Sequence, residues 1–528
     1  MHNITSYTTA SESLSKREKI GQLFMPAAFI NDTEEEICAL EKLIKEQGIG
    51  GLCFFHSRAS AATNFEGKKK IIVNTESLST LKNLIQRYQK AAKQPLLISI
   101  DAEWGLAMRI ENTPQYPYAI CLGAMQNGLD LIEQVGKNIA LDCKNAGIHW
   151  NLAPVVDINN NPNNPVIGYR SFGEDKNNVT ENAIAFIKGT KEAGILTSIK
   201  HFPGHGDTAT DSHLDLPLID KNIDELWDNE LYPFRKIVAS GVDSVMIGHL
   251  SIPALANGSK ISSSISKDII KGVLRTELSF KGVVISDALN MHAVSKNYPI
   301  KGELEWLAFD AGNDILCFAE NTVEGIETIL KNANNKAIEE SFKRIWLLKE
   351  KAINQIDNHK LQAVDYTTLL TKIAKKSITQ IVGNTNNFMN APFVGIDINF
   401  KEENTFFTTI KKEKDFDFYN LSDTSIPEIK AKIKDKENIL LSIEAPKVKP
   451  QNKFNIPKEY WALIGELLET KNVILYIFGS PFILNHLNYK NTKSAVVAYQ
   501  DFEEFKTVAA NHFLGKINAE GKLPVTIS

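Results

Sequence analysis

The stretch SIKHFPGHGDTATDSHLDLP, Ser198 to Pro217, holds three of the chain's 11 histidines, His201, His205 and His213, together with Asp207, Asp211 and Asp215. His201 and His205 are four apart, which would suit one helix face, but Pro203 and Gly204 stand between them and break any helix there. The segment is therefore expected to be a loop whose polar side chains converge. Three chemistries compete for it. A metal site could use His201, His205, Asp211 and His213, since imidazole and carboxylate are good ligands. Against it, no HxH or HExxH pattern occurs, and Lys200 adds positive charge where the cation would sit. A rigid polar network could merely shape the loop. Acid/base chemistry is the third. Asp211 and His213 are two apart, close enough for the carboxylate to orient the ring and favour its protonated form. Such a ring can donate a proton to a leaving group near neutral pH.

Eight short apolar runs must position these groups: LFMPAAFI, IGGLCFF, PLLISID, IHWNLAPVVDI, TSIKHF, VDSVMIGHL, KGVVISD and NDILCFA. Helical segments such as SLSTLKNLIQRYQKAAK separate most of them, and several stop at a glycine, as at Gly194 and Gly241. Near-continuous apolar strands alternating with helices imply a parallel sheet covered on both faces. The expected fold is α/β, a (β/α)8 TIM-type barrel, with a doubly wound open sheet as the alternative. In such a barrel the functional groups come from the carboxyl ends of strands. Asp101 ends LLISID and is followed by Glu103, Trp104 and Arg109; Asp157 ends LAPVVD, before a long loop bearing Arg170. Lys200 and His201 end TSIKHF, His249 ends VMIGHL, and Asp287 ends GVVISD. Asp287 could supply a nucleophilic carboxylate, and Arg170, Lys200 and Asp101 could hold hydroxyl groups of a small polar substrate. That constellation suits cleavage of a glycosidic bond.

Plainer roles stand beside each of these. Asp157 could be a helix cap or turn former, as could Asp101 and Asp287. Arg170 could pair with Glu174 or Asp175, and His249 could be a hydrogen-bonded rim residue. Trp104 could be a core aromatic or a wall on which a sugar stacks.

The remainder of the chain bounds the partners. At 528 residues it is too long for one ordinary core, and its net charge of −4 gives no reason to expect nucleic acid or an acidic membrane surface. Five scattered cysteines form no CxxC pair, so neither a disulfide framework nor a thiolate zinc site is expected. No apolar run approaches the roughly 20 residues that span a bilayer, and the N-terminus does not read as a signal peptide. A cytoplasmic protein is expected, or a periplasmic one if a leader was trimmed. The division expected is a barrel over 1–355, a helical linker over 356–388, and a smaller α/β domain over 389–528, where FVGIDINF, NILLSIEA and NVILYIFG restart the alternation.

KHFPGHGDTATDSHLDLP resembles the signature of the β-N-acetylhexosaminidase branch of glycoside hydrolase family 3. NPVIGYRSFGED, ISIDAEWG, VMIGH and GVVISDALNM are similar to the family's other blocks, in the family's order, and the ending NAEGKLPVTIS resembles the second, sandwich domain of its two-domain members. The resemblance implies that Asp287 attacks the anomeric carbon, that His213 is the acid/base with Asp211 as its partner, and that Asp101, Arg170, Lys200 and His201 hold the terminal sugar. Met246 and His249 are expected to border that pocket, and His205 and Asp207 to brace the loop. It implies a retaining exo-β-N-acetylglucosaminidase, a monomer without cofactor or metal, acting on terminal N-acetylglucosamine of peptidoglycan fragments. The rival readings are a β-glucosidase or glycoside phosphorylase of the same family, a metal-dependent hydrolase, and a sugar-binding protein without catalysis.

Overall fold

Strand β1 (Phe24–Met25) and strand β2 (Ala27–Phe29) are one barrel position interrupted by Pro26, which cannot donate to a ladder. β2 begins a parallel run of seven strands in chain order, continued by β3 (Gly51–Phe55), β4 (Leu97–Ile100), β5 (Trp150–Asn151), β6 (Leu196–Phe202), β7 (Ser244–Ile247) and β8 (Val283–Ser286). The ends of this run meet through β9 (Leu316–Cys317), which pairs in parallel with β1. On its other side Ile315 bridges Ile285, and the Ser286 N–H donates to the Ile315 carbonyl at 3.0 Å. The sheet is thereby closed into a parallel barrel of eight positions, and all eight apolar runs of the sequence supply strands to it. The short strands are buried along nearly their whole length, as expected of a parallel sheet with helices outside.

The computed structural model describes residues 4–58, 73–208, 216–355, 362–384, 388, 391–400 and 404–527. Asp211 and His213 lie outside them. The chain divides into two compact units. The first, which holds the barrel, comprises Met1–Tyr116, Ile132–Ile158 and Val179–Ala363; the second comprises Pro117–Leu131, Asn159–Asn178 and Val364–Ser528. This partition departs from a linear division at 355 and 389, because two long loops within the barrel sequence belong to the second unit. Neither apolar periodicity nor loop composition signals that. The physical reason is close packing within the unit: the Lys522 N–H donates to the Ala124 carbonyl at 2.9 Å and the Glu174 N–H to the Pro524 carbonyl at 2.9 Å, and a Cβ on Gly173 would stand 2.5 Å from the Pro524 carbonyl oxygen, so only glycine permits that approach.

The second unit contains a six-stranded sheet in the order β10-β15-β14-β13-β11-β12. These strands are β10 (Thr379–Gly383), β11 (Val394–Ile398), β12 (Phe418–Asn420), β13 (Asn438–Glu444), β14 (Asn472–Phe478) and β15 (Ser494–Val497). All pairs are parallel except β10 with β15, an antiparallel edge. Helices Lys458–Thr470 and Glu503–Phe513 bury apolar faces in this unit, the α/β sandwich expected from the sequence. Among the described residues, no helix is long and apolar enough to cross a membrane.

In the barrel, one buried carboxylate ties three elements together. Asp314 accepts from Arg344 Nη2 at 2.8 Å and Ser341 Oγ at 2.7 Å on one oxygen. Its other oxygen accepts from Arg275 Nη2 at 2.6 Å and the Val284 N–H at 2.9 Å. Helix Asn335–Gln355, helix Asp268–Glu277 and strand β8 therefore share it. Removing one member of such a buried set strands the opposite charges, at a cost of about 3–5 kcal/mol. Asp314→Ala is expected to lower the stability of the barrel by that amount in urea unfolding followed by tryptophan fluorescence.

Candidate active site

Strand β6 does most to organise the carboxyl end of the barrel. Its seven residues are all buried, and its pairing with β7 slips between Ile199↔Val245 and Phe202↔Ile247. The slip lets two consecutive residues, Lys200 and His201, engage groups at the barrel mouth, although in a regular strand they would face opposite sides.

Lys200 is only 2% exposed, and its Nζ lies 2.8 Å from Asp101 Oδ1 and 2.8 Å from Glu103 Oε1. Asp101 also accepts from Arg109 Nη2 at 3.0 Å, while the Arg109 guanidinium stacks 3.7 Å from the Phe55 ring centre. Two cations and two carboxylates thus balance where β4 and β6 end. Burial pushes the Asp101 carboxyl up, but Lys200 and Arg109 outweigh it and hold the group below the usual aspartate value.

His201 is fixed by Asp157. The His201 Nδ1 lies 2.7 Å from Asp157 Oδ2, and the same carboxylate accepts the backbone N–H of His201 at 3.1 Å and of His205 at 2.7 Å. Burial raises the Asp157 carboxyl; the His201 and His205 groups more than offset it, and the net displacement is downward. His205 Nδ1 stands 2.8 Å from the Thr208 hydroxyl, and Asp207 pairs with Lys221 at 2.6 Å. Lys221 also holds Glu230 at 2.6 Å. Beyond the undescribed stretch the chain is anchored again: the Ile219 N–H donates to the Ser251 carbonyl at 2.9 Å, and the Ser251 N–H to the Pro217 carbonyl at 2.8 Å. Both described ends of the segment that carries Asp211 and His213 are therefore pinned to the rim.

Asp287 follows β8, with its N–H donating to the Ile247 carbonyl at 2.9 Å and its Oδ1 accepting the Ala288 N–H at 2.8 Å. Burial drives its carboxyl upward, yet His201, His249, the Ala288 N–H and Lys200 together hold it below the ordinary value. His249 is fully buried. Its Nε2 is 2.9 Å from the Ala288 carbonyl, which can only accept, so that nitrogen carries the proton. Its Nδ1 lies 2.8 Å from Ser264 Oγ. Met246 is buried in β7, opposite Ile285 of β8. Arg170 belongs to the second unit, in the turn Gly168–Arg170, where its Nη1 lies 3.4 Å from the Val166 carbonyl.

The barrel therefore brings together Asp101, Lys200, His201, His249 and Asp287 at one end. It adds Asp157, Glu103 and Arg109, to which the sequence assigned no site role. For Asp157 the clue was its place at the end of LAPVVD; nothing in the sequence showed that it would accept two backbone N–H groups. Among the described residues, no group of three or more His, Cys, Asp or Glu is disposed to hold a metal ion.

Residues 15–348 match the family described as Glycosyl hydrolase family 3 N terminal domain. The chain belongs to glycosyl hydrolase family 3. It is 32% identical over 378 residues to Beta-hexosaminidase A of Pseudoalteromonas piscicida, a match covering 65% of this chain and 61% of that protein. The chain thus spans less than two thirds of the length of that relative. It is 33% identical over 267 residues to Beta-hexosaminidase of Tolumonas auensis, covering 50% of this chain and 77% of the relative. A family 3 β-N-acetylglucosaminidase from Paenibacillus sp. str. FPU-7 superimposes with a TM-score of 0.78 at 27% identity, over 98% of this chain and 99% of that one. A beta-glucoside phosphorylase, BglX, reaches 0.80 at 20% identity over 98% of this chain and 95% of its own, a likeness of fold alone.

In this family 3 barrel the ionisation of Asp287 depends on its neighbours. A carboxyl held low stays ionised into more acidic solution, so activity that requires the carboxylate persists there. His201→Gln removes the foremost of the groups that hold it low. The acidic limb of kcat/KM is expected to move to higher pH, measured on an activated aryl glycoside; an unmoved limb would uncouple His201 from Asp287.

Proposed function

We propose that the chain is a retaining exo-β-N-acetylglucosaminidase that removes terminal N-acetylglucosamine through a covalent glycosyl-aspartate. The observation that carries this reading is Asp287, a carboxylate at the end of β8 whose Oδ1 accepts the Ala288 N–H, at the same end of the barrel as Asp101, Lys200 and His201. The relatives named beta-hexosaminidase and the Paenibacillus enzyme named β-N-acetylglucosaminidase support the choice of sugar.

In the proposed reaction an Asp287 oxygen attacks the anomeric carbon as the bond to the leaving oxygen breaks. That oxygen takes a proton from the His213 imidazolium, which Asp211 orients. Water then gives a proton to His213 and attacks the same carbon, displacing Asp287 and retaining configuration. Retaining glycosidases ordinarily place two carboxyl groups about 5–5.5 Å apart; here an imidazole takes the part of one. Asp101 and Lys200 present an acceptor and a donor to the sugar hydroxyls, with Met246 and His249 beside the pocket. Peptidoglycan fragments in the cytoplasm are the proposed source of the sugar, tested by release of N-acetylglucosamine from a muramic acid disaccharide.

An activated 2-fluoro glycoside is expected to add one sugar mass to the protein on the peptide containing Asp287, and Asp287→Ala to lose at least about a thousandfold in turnover of an aryl N-acetylglucosaminide. A label on another peptide would displace Asp287 as the nucleophile. His213→Ala is expected to harm substrates with poor leaving groups far more than activated aryl ones, since only the former need the proton. Equal losses on both would remove His213 as the acid. Running both substrates with added phosphate distinguishes hydrolysis from phosphorolysis, since a sugar phosphate product would mark a phosphorylase.

A further inference from the structure

A second polar cavity opens on the same barrel, between the loop that follows β8 and the loop that follows β9, and measures about 240 Å³. At roughly 30 Å³ per water it has room for about eight waters, comparable to one monosaccharide ring. It lies at the carboxyl ends of two strands, where barrels of this type bind their ligands. One of its lining residues, Leu289, is two positions after Asp287, and its N–H donates to the Cys317 carbonyl at 3.0 Å, which fixes that wall to the barrel.

The deepest polar group is Glu305, which is 2% exposed. One carboxyl oxygen accepts the Asn321 N–H at 3.0 Å; the other, Oε2, is buried and has no hydrogen-bond partner. Leaving a buried carboxyl oxygen unmatched is costly, so a ligand group that meets it through a turn of the Glu305 side chain gains accordingly. Burial holds this carboxyl above its ordinary value. A ligand hydroxyl can donate to the ionised form or accept from the protonated one, whereas an ammonium serves only the former.

The other lining groups narrow the ligand. Glu305 and Glu320 oppose an anion such as phosphate. Asn290 and Asn321 add neutral donors and acceptors, and Tyr298 adds an aromatic surface on which the apolar face of a sugar can rest. A neutral, hydroxyl-rich molecule meets all of these.

We infer that this cavity is a second carbohydrate subsite, separate from the one around Asp101 and Lys200, which takes a further hydroxyl-bearing unit of an oligosaccharide through Glu305 and Tyr298. The identity of that oligosaccharide, and nothing else, rests on the glycosidase reading above. The test compares wild type, Tyr298→Ala and Glu305→Leu on an aryl N-acetylglucosaminide and on N-acetylchitotetraose, with thermal melting of each variant. Both variants are expected to lower kcat/KM for the tetrasaccharide about tenfold or more while changing the aryl monosaccharide less than about twofold. Parallel losses on both substrates, or an unchanged tetrasaccharide value in both variants, would overturn the subsite. If Glu305→Leu melts far below wild type, the partly exposed Tyr298 decides alone. If wild type turns over neither substrate, the glycosidase reading fails by itself. The subsite is then judged by calorimetric binding of N-acetylchitotetraose and cellotetraose to Asp287→Ala protein with and without Tyr298→Ala. Loss of binding upholds it, and no binding in either protein, or equal affinity in both, overturns it.

Discussion

Lys200 places an ammonium where water scarcely reaches it, and a buried ammonium keeps its charge only when carboxylates surround it. That requirement shapes the barrel mouth. Asp101 and Glu103 must come to Lys200 from the end of β4, and Asp101 in turn draws Arg109 across it. Each of these groups would be expensive alone. Together they form a neutral set whose geometry is fixed by mutual attraction, and a polar substrate finds donors and acceptors already oriented.

His201 sits under a similar constraint one residue later. Asp157 is fully enclosed, and its two oxygens take up the His201 ring and the N–H groups of His201 and His205. A carboxylate in the segment after β5 thus sets both the ring on β6 and the first turn of the loop after it. The far end of that loop is held by Ser251, after β7. In the proposed mechanism the nucleophile stands on a strand end, while the acid is carried by a segment whose two ends are fixed to different strands.

Much of the barrel was legible because its strands are buried on both faces and therefore written as apolar runs, such as GLCFF and VMI. The polar residue at the end of each run marks the mouth with little ambiguity, which is why Asp101, Lys200, His249 and Asp287 could be picked out. Asp157 was harder to read, since an aspartate at a strand end is as often a turn former. Glu103 and Arg109 carry no pattern of their own; their pairing with Lys200 and Asp101 arises from adjacency of β4 and β6 across β5, which spacing along the chain does not encode. The two-unit partition escaped the sequence for the same reason: Pro117–Leu131 and Asn159–Asn178 join the second unit through close backbone approaches such as Ala124 with Lys522 and Gly173 against Pro524. Glu305 is a further case, a helical acid whose burial follows from tertiary packing and not from its neighbours in sequence.

The charges at the mouth bear on what the proposed reaction requires. Lys200 and Arg109 are matched by Asp101 and Glu103, the His201 ring by Asp157, and the His249 ring is engaged at both nitrogens. Asp287 remains as a carboxylate whose bonds in the described structure come from one backbone N–H and from no opposing side chain at ion-pair distance. A neutral sugar entering such a site meets, among the described side chains, a carboxylate with no ion-pair partner. As the glycosidic bond lengthens, positive charge appears on the sugar ring, and the excess negative charge of Asp287 acquires its counterpart only then. Stabilisation that grows from ground state to transition state in this way raises the rate instead of merely tightening binding.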